Sequence, residues 1–138
     1  MVFIRDALSG NVERWSPEAE GKIYFILKLG NTKIGLLFVY NPPVNSPYAN
    51  EDFLGEIEED LASMEHAGVT DFLILGDFNA RTGSLDDRVP PGILDEDDGE
   101  VEEDGIENIP ERASMDNTWN SRGVELIDFA KSTSTCIF

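Results

Sequence analysis

The pattern of apolar and polar residues first predicts two strands joined by a tight turn. Residues 22–29 and 33–40 are apolar runs rich in β-branched and aromatic side chains, and the pair Gly30-Asn31 lies between them. Two such runs around a Gly-Asn pair are typical of a β-hairpin. The second run is continuously apolar, as expected of a strand buried on both faces. A pair of prolines ends it, because proline removes a backbone donor and fixes φ.

The next segment changes to a helical period. Between residues 50 and 66 the acids face away from one apolar helical stripe. Asn50 is the predicted N-cap and Gly68 the predicted C-terminal stop. A short apolar run at 72–75 then predicts a buried strand. The order strand, strand, helix, strand predicts a layered α/β domain with helices packed on a sheet. The residues of the helical stripe are Phe53, Leu54, Ile57, Leu61 and Met64.

The second half of the chain is less regular. From 76 to 119 turn residues and acids predominate, and so long an irregular stretch in a compact domain is usually functional or disordered. Helical periodicity returns with Asn120 as the predicted cap and continues to Lys131, and residues 135–138 resemble the start of a further strand. We therefore expect three parts: an irregular segment at 1–21, one domain at 22–138 and, within it, an acidic loop at 84–111.

The charge of the chain counts against tight binding to nucleic acid. Lys and Arg number 10 against 28 Asp and Glu, which gives a formal net charge of -18. Proteins that grip phosphates normally present a basic face instead. Nine of the acids lie between Asp95 and Glu107. The stretch 100–111 loosely resembles a calcium-binding loop, but its first position is Glu and no amphipathic helix flanks it, so a solvated insertion is the preferred interpretation.

The cellular setting follows from what the sequence lacks. Cys136 is the single cysteine, which excludes an internal disulfide and a Cys-rich zinc site and favours a reducing compartment. The first residues have no basic start followed by an apolar run, and no window is apolar enough for a membrane span. We expect an intracellular protein, with the nucleus as one location, that is not secreted and does not enter a membrane.

The segment most informative about chemistry follows the strand at 72–75. Asp77 and Asn79 lie two residues apart, and in extended backbone such positions point to the same side. Their carboxylate and amide therefore converge at the strand's carboxyl end, where open α/β sheets tend to bind ligands. Such a pair can hold a hydrated metal ion or align a water molecule. On spacing alone, a simple Asx-turn in which both groups satisfy the backbone remains the alternative.

Three motifs, in the right order, resemble the endonuclease/exonuclease/phosphatase family. The sequence Gly-Asp-Phe-Asn-Ala at 76–80 is similar to the family signature, and its extension to 83 resembles the endonuclease domain of non-LTR retrotransposon polyproteins, in which the endonuclease is associated with a reverse transcriptase. Residues 40–43 resemble the family's Tyr-x-Pro-Pro segment. The block from Arg112 to Leu126 resembles its Arg-x-Ser-x-Asp and Asn-x-x-Gly-x-x-Leu pattern.

The resemblance implies a fold, a reaction and roles for matching residues. The fold is a DNase I-like two-sheet sandwich flanked by helices, and the reaction is hydrolysis of a DNA phosphodiester with Mg²⁺ stabilising charge on the phosphate. Asp77 matches the aspartate that orients or activates the attacking water, and it is a tentative metal ligand. Asn79 matches the asparagine that helps hold phosphate or metal. Tyr40 matches the tyrosine that contacts the scissile phosphate.

The same resemblance leaves two family motifs unmatched. A metal-binding Glu on an N-terminal strand and a histidine motif near the C-terminus have no convincing counterparts in this sequence. His66, the only histidine, is interpreted as a surface residue. We therefore expect a domain incomplete at both ends, a fragment with impaired or absent catalysis. The alternative is a non-enzymatic acidic α/β module that binds protein or metal.

A few remaining side chains carry weaker expectations. Arg81 is the cation best placed to contact a phosphate, because it follows Asn79 by two residues, but it can equally pair with a carboxylate. Arg112 and Arg122 are further candidates. Trp15 and Trp119 are expected to pack within the protein rather than stack on bases.

Overall fold

The computed structural model shows a mixed α/β protein with a four-stranded mixed sheet and helices. It describes residues 2–15, 20–87 and 114–137. The chain divides into two compact units, Met1–Asn79 and Ala80–Phe138. The described helices are α1 (Asp6–Ser9), α2 (Phe53–His66) and α3 (Ser121–Ser132), and the described strands are β1 (Val12–Arg14), β2 (Lys22–Leu29), β3 (Thr32–Tyr40) and β4 (Asp71–Asp77).

The first unit contains the sheet, in the spatial order β1-β2-β3-β4. β2 runs antiparallel to β1 and to β3, whereas β4 lies parallel to β3. Leu29 pairs with Thr32, so Gly30 and Asn31 alone connect β2 with β3 and the predicted hairpin is confirmed. Gly30 takes a φ of 60°, a left-handed conformation that glycine adopts without steric cost.

α2 connects β3 to the parallel strand β4 and packs on one face of the sheet. Phe53, Ile57, Leu61 and Met64 are buried, which confirms the predicted helical stripe at those four positions. The helix ends as predicted, before Gly68 with a φ of 82°.

The predicted start of α2 is wrong, because the helix begins only at Phe53. Asp52 occupies the N-cap position and makes no side-chain capping bond. The Asn50 side chain instead accepts a hydrogen bond from the Asp52 amide at 3.0 Å. This local turn competes with capping, since Asn bonds readily to backbone two residues ahead.

The two faces of the sheet differ in burial. Tyr24, Ile26, Leu37 and Val39 point to the α2 side and are buried, whereas alternate residues on β2 and β3 are only half-buried. The expectation that the second strand is buried on both faces is therefore wrong. The strand at 72–75 is also less buried than expected, because β4 is an edge strand of the described sheet and presents exposed residues along one side.

The N-terminal segment contains more structure than its sequence pattern indicates. The expectation of an irregular stretch at 1–21 is wrong for two short elements, α1 and β1. β1 pairs with β2, with Val12 opposite Leu27 and Arg14 opposite Phe25. A three-residue strand is defined by its long-range partner, and periodicity within the segment does not reveal it.

The second unit contains α3. The Asn120 side chain accepts a hydrogen bond from the Gly123 amide at 2.8 Å, which confirms Asn120 as the helix cap. Residues 135–137 do not form the predicted strand; the Thr135 amide instead donates to the Ala130 carbonyl and closes the turn that ends α3. Most of the acidic loop at 84–111, including the calcium-loop resemblance at 100–111, lies outside the described residues.

A buried lysine fixes α2 against the sheet. Lys22 is 5% exposed, its ammonium group donates a hydrogen bond to Glu56, and Asp60 lies 3.9 Å away. The Phe53 ring centroid is 5.5 Å from the same nitrogen. Hydrogen bonding from Lys22 is the main cause that lowers the pKa of Glu56 below its ordinary value. Lys22 therefore joins the start of β2 to the first turns of α2.

We expect Lys22→Met to change the free energy of unfolding by no more than about 1 kcal/mol, because the loss of the ion pair is offset by not having to bury a charge. Lys22→Ala should cost about 2–4 kcal/mol, because it also leaves a cavity under α2. Chemical denaturation measures both. The Glu56 pKa is lowered in the folded state, so the ion pair stabilises wild type at neutral pH, and this contribution is lost as the pH falls through that folded-state pKa. Equal losses in both variants would contradict a packing role for the lysine stem.

Candidate active site

Two of the predicted site residues end neighbouring parallel strands. Tyr40 is the last residue of β3 and pairs in register with Asp77, the last residue of β4. The Asn41 amide donates a 2.8 Å hydrogen bond to the Asp77 carbonyl and extends this pairing by one residue. Register partners project to the same side of a sheet, so Tyr40 and Asp77 share one face at its carboxyl end. Tyr40 is 50% exposed and accessible to a ligand.

Asn79 reaches this site by a turn rather than by strand geometry. β4 ends at Asp77, and Asn79 has a φ of 48°, so the expectation of two residues on one extended strand is wrong in its geometry. The Asn79 amide nitrogen donates to Asp77 Oδ1 at 2.9 Å, and its side-chain Nδ2 donates to the Asn41 carbonyl at 2.8 Å. Asparagine tolerates this left-handed conformation better than most residues. The turn still brings Asp77 and Asn79 together.

This geometry leaves part of the Asp77 carboxylate free. Its Oδ1 serves the Asx-turn, which was the structural alternative for this motif. Within the described part of the chain, no group hydrogen-bonds to its Oδ2. One carboxylate can therefore satisfy the turn through one oxygen and offer the other to a water molecule or a cation.

Asn41 is a residue of this site that the sequence analysis missed. It is 6% exposed, and its Oδ1 is buried without a hydrogen-bond partner among the described residues. Buried acceptors in folded proteins nearly always have a donor, so an orphan acceptor next to Asp77 and Asn79 is unusual. The signal in the sequence is a polar residue placed directly after a buried strand.

A groove opens beside the strand ends. Its volume is about 920 Å³, and Tyr40 and Gly76 both line it, which places it next to Asp77. Further along, the lining is mostly apolar and includes Ile23, Phe38 and Leu75. Arg14, Lys22 and Glu20 contribute the charged groups, and the Lys22 ammonium is already bonded to Glu56.

The metal chemistry of the site is limited to a single carboxylate. Within residues 2–15, 20–87 and 114–137, no three His, Cys, Asp or Glu side chains gather as metal ligands. Mg²⁺ retains several of its water molecules and is commonly held by one or two carboxylates together with substrate phosphate. The free Oδ2 of Asp77 meets that limited requirement, so Asp77 is the residue that would hold such an ion.

No helix in the described part of the chain is long and apolar enough to cross a membrane.

Arg81 belongs to the second unit and is engaged there. Its guanidinium donates to the Thr118 hydroxyl at 3.3 Å and lies 4.0 Å from Asp116 Oδ2. Hydrogen bonds from Thr118 lower the pKa of Asp116, so this partner is ionised at neutral pH. The structure thus shows the carboxylate pairing that was the alternative for Arg81, and phosphate contact by Arg81 stays a prediction.

Other candidates are distributed as follows. His66 is exposed with its ring nitrogen 2.7 Å from the Ala62 carbonyl, which confirms it as a surface residue. Trp119 is 63% exposed, so its expected packing role is wrong. Arg112 lies outside the described residues, and Arg122 lies in the first turn of α3.

Comparison with known proteins identifies no relative of this chain. No protein-family model, no curated protein and no solved structure matches the chain. Function is therefore inferred from the sequence motifs and from the geometry of Tyr40, Asp77 and Asn79.

Proposed function

We propose that this chain carries the site of a phosphodiester hydrolase of the endonuclease/exonuclease/phosphatase type, related to the endonuclease domain of non-LTR retrotransposon proteins and acting on DNA. One observation carries the proposal. The motif at 76–80 places Asp77 at the carboxyl end of β4, in register with Tyr40 at the end of β3. On one face of a sheet, a carboxylate can orient and deprotonate a water molecule, and a phenol can donate a hydrogen bond to a phosphate oxygen as charge grows on it.

The proposed reaction assigns a task to each of the three side chains. Asp77 accepts a hydrogen bond from a water molecule and takes its proton as the water oxygen bonds to phosphorus. The phosphorus bond to the leaving oxygen breaks, and that oxygen keeps the electron pair and is protonated by solvent. The Tyr40 hydroxyl and the second hydrogen of Asn79 Nδ2, whose first hydrogen is donated to the Asn41 carbonyl, donate hydrogen bonds to phosphate oxygens as negative charge grows on them. Bound Mg²⁺ would supply further charge stabilisation on those oxygens.

The proposal gives Asp77 two possible roles, metal ligand and general base, and its free oxygen cannot fill both at the same time. A carboxylate oxygen that holds a hydrated cation is not free to take the proton of the attacking water. The dependence of activity on metal concentration distinguishes the two roles, because a metal ligand at Asp77 makes metal affinity fall in its variants, whereas a general base leaves that affinity unchanged.

The proposed fold is the two-sheet sandwich flanked by helices that the motifs imply. The observed mixed sheet supports it because one face packs on α2 and the other carries half-buried apolar side chains. Apolar sheet faces are normally covered by a second layer. The proposal also places the protein inside the cell, with the nucleus as one compartment.

A non-enzymatic acidic module is the second candidate. The net charge of -18 favours it, since repulsion of the phosphate backbone weakens binding to DNA. The apolar groove beside Tyr40 fits a binding function equally well. Such a module binds a ligand without converting it.

The test of the proposal is nicking of supercoiled plasmid by the folded chain at low salt across a Mg²⁺ titration. We expect at most slow Mg²⁺-dependent conversion to the open circle, abolished by a chelator, because the metal-binding Glu and the histidine motif of the family have no counterparts in this sequence. A folded sample that nicks no plasmid at any Mg²⁺ concentration would favour the non-enzymatic module. Circular dichroism and a cooperative thermal transition establish that the sample is folded.

A further inference from the structure

The sheet face that points away from α2 is apolar across the three long strands. Even-numbered residues of β3 and their register partners on β2 and β4 project to this side. Leu73 is 47% exposed and Leu75 is 41% exposed, and the apolar residues on β2 and β3 are half-buried. A continuous apolar surface of this kind marks an interaction site on a protein in water. We call it the open face, and its central side chains are Ile23, Phe25, Leu36, Phe38, Leu73 and Leu75.

The size of the open face fits a second protein surface. The sheet has four strands, and a strand spacing of about 4.8 Å and a length of about 25 Å give a flat area of roughly 500 Å². Side chains that interdigitate raise the accessible area towards the roughly 800 Å² that each partner contributes to a standard interface. The Phe25 and Phe38 rings pack edge to face with their centroids 6.2 Å apart. Aromatic side chains are enriched in interface cores, so this pair suits the centre of such a contact.

The charges on the open face are complementary to a second copy of the same face. Within the described strands, Arg14 lies on one edge strand, β1, whereas Asp71 and Asp77 lie on the other, β4. One edge is therefore positive and the other negative. A half-turn about an axis along the strands brings the β1 edge of each copy over the β4 edge of the other. A half-turn about an axis across the strands would place the aspartates of the two β4 edges together, which like-charge repulsion opposes.

The register brings Arg14 within reach of an aspartate in this arrangement. Arg14 is level with Leu73 across the sheet, so Asp71 lies one same-side position away on β4. That offset is about 7 Å along the strand, and stacked sheets lie about 10 Å apart, which an arginine and an aspartate side chain span together. Arg14 already interacts within its own chain. A guanidinium has several N–H donors and can bond a second carboxylate as well.

The net charge of -18 repels a second copy and favours a weak dimer. The described acids of α2 contribute little to this repulsion, because α2 packs on the other face of the sheet. In two stacked sheets the α2 helices are outermost and roughly 30 Å apart, several times the Debye length of about 8 Å at physiological salt. The exposed acids on this outer surface include Glu58, Glu59 and Glu65.

We propose that the open face binds the open face of a second copy in a two-fold dimer, with the strands of the two sheets nearly aligned and Arg14 of each copy beside Asp71 of the other. The second copy then supplies the layer that an apolar sheet face requires. This inference goes beyond the proposed function and does not rest on it, because it concerns association and not hydrolysis. Either one can fail while the other stands.

Sedimentation equilibrium of the full chain at physiological salt, from about 1 to about 200 µM, measures the association. We expect a monomer–dimer equilibrium with a dissociation constant in the micromolar range. Leu73→Glu brings like charges into the interface and should leave only monomer over this range. Val124→Glu is the matched control, since Val124 lies on α3 and is 38% exposed. It should keep the wild-type dissociation constant within about twofold, because an exposed charge outside the interface is screened.

Charge reversal tests the orientation of the two copies. Arg14→Asp and Asp71→Arg should each raise the dissociation constant at least about fivefold, because each replaces attraction by repulsion in two symmetric pairs. The double variant should restore it to within about twofold. Net charge alone predicts otherwise, since Arg14→Asp makes the chain more negative and Asp71→Arg makes it less negative. Both residues are exposed, so neither substitution buries a charge.

Three results would overturn the proposal. A chain that is folded by circular dichroism but stays monomeric over the whole range has its open face covered in another way. A dimer that survives Leu73→Glu uses another surface. A dimer that Leu73→Glu dissociates but Arg14→Asp leaves unchanged pairs through the edges of β4, because that arrangement does not involve β1. Plasmid nicking at concentrations where the chain is monomeric reports separately on the proposed function.

Discussion

Asp77→Asn and Asp77→Ala are both expected to lower the rate of plasmid nicking by at least about a hundredfold, because each removes the carboxylate that orients and deprotonates water. Asparagine retains the side-chain oxygen that accepts the Asn79 amide at Oδ1 in wild type, and alanine does not. The pair therefore separates catalysis from turn structure. Rates of open-circle formation at saturating Mg²⁺ measure the effect, with wild type and both variants at equal folded concentration.

The behaviour of the Asp77→Asn variant distinguishes a catalytic role of Asp77 from a purely structural one. If Asp77 serves only the Asx-turn, Asp77→Asn keeps wild-type behaviour in every assay, whereas Asp77→Ala lowers stability by about 1 kcal/mol through loss of one hydrogen bond. If Asp77 is the base, the asparagine variant unfolds at the wild-type temperature and is inactive. Thermal unfolding of both variants, recorded beside the activity, distinguishes these cases.

Sequence patterns predict the structure correctly at positions where neighbouring residues determine it. The hairpin around Gly30 and Asn31 was predicted because a two-residue connection between apolar runs leaves few alternatives. The cap at Asn120 and the stop at Gly68 were predicted for the same reason, since each needs a particular side chain at one position. The start of α2 was predicted wrongly because two local interactions compete at Asn50, and the sequence does not rank them.

Sequence patterns do not predict features that depend on residues distant in the chain, such as strand pairing and the exposure of an edge strand. β1 exists because Val12, Glu13 and Arg14 find partners on β2, and three residues carry no periodicity of their own. The exposure of β4 depends on which elements flank it, whereas its sequence only reports that its side chains are apolar. An apolar strand at a sheet edge and one at a sheet centre have similar compositions.

The candidate site could be predicted only in part, because some of its features depend on neighbouring residues and others on distant ones. Asp77 was placed at a strand end by the apolar run before it, and Tyr40 was joined to it only by the family resemblance. The structure explains their proximity, because β3 and β4 are parallel and end together. Asn41 and the groove were missed, since burial and cavity shape depend on side chains from three strands and the N-terminal segment.

The motif that carries Asp77 also depends on a glycine. Gly76 has a φ of 155° and lies so close to β3 that an added Cβ would overlap the Val39 carbonyl oxygen. The two strands approach at this point because Val39 and Gly76 are register partners. A side chain at position 76 must therefore push β4 away from β3 immediately before Asp77.

We expect Gly76→Ala to lower the free energy of unfolding by at least about 3 kcal/mol, because it combines unfavourable φ with a backbone clash. Gly30→Ala is the matched control, since Gly30 also has positive φ but no atom within 4 Å of an added Cβ; it should cost only about 1 kcal/mol. Denaturant unfolding of both variants measures the difference. Equal costs would show that β4 moves freely at its carboxyl end, and Asp77 would then lack the fixed position that the proposed reaction requires.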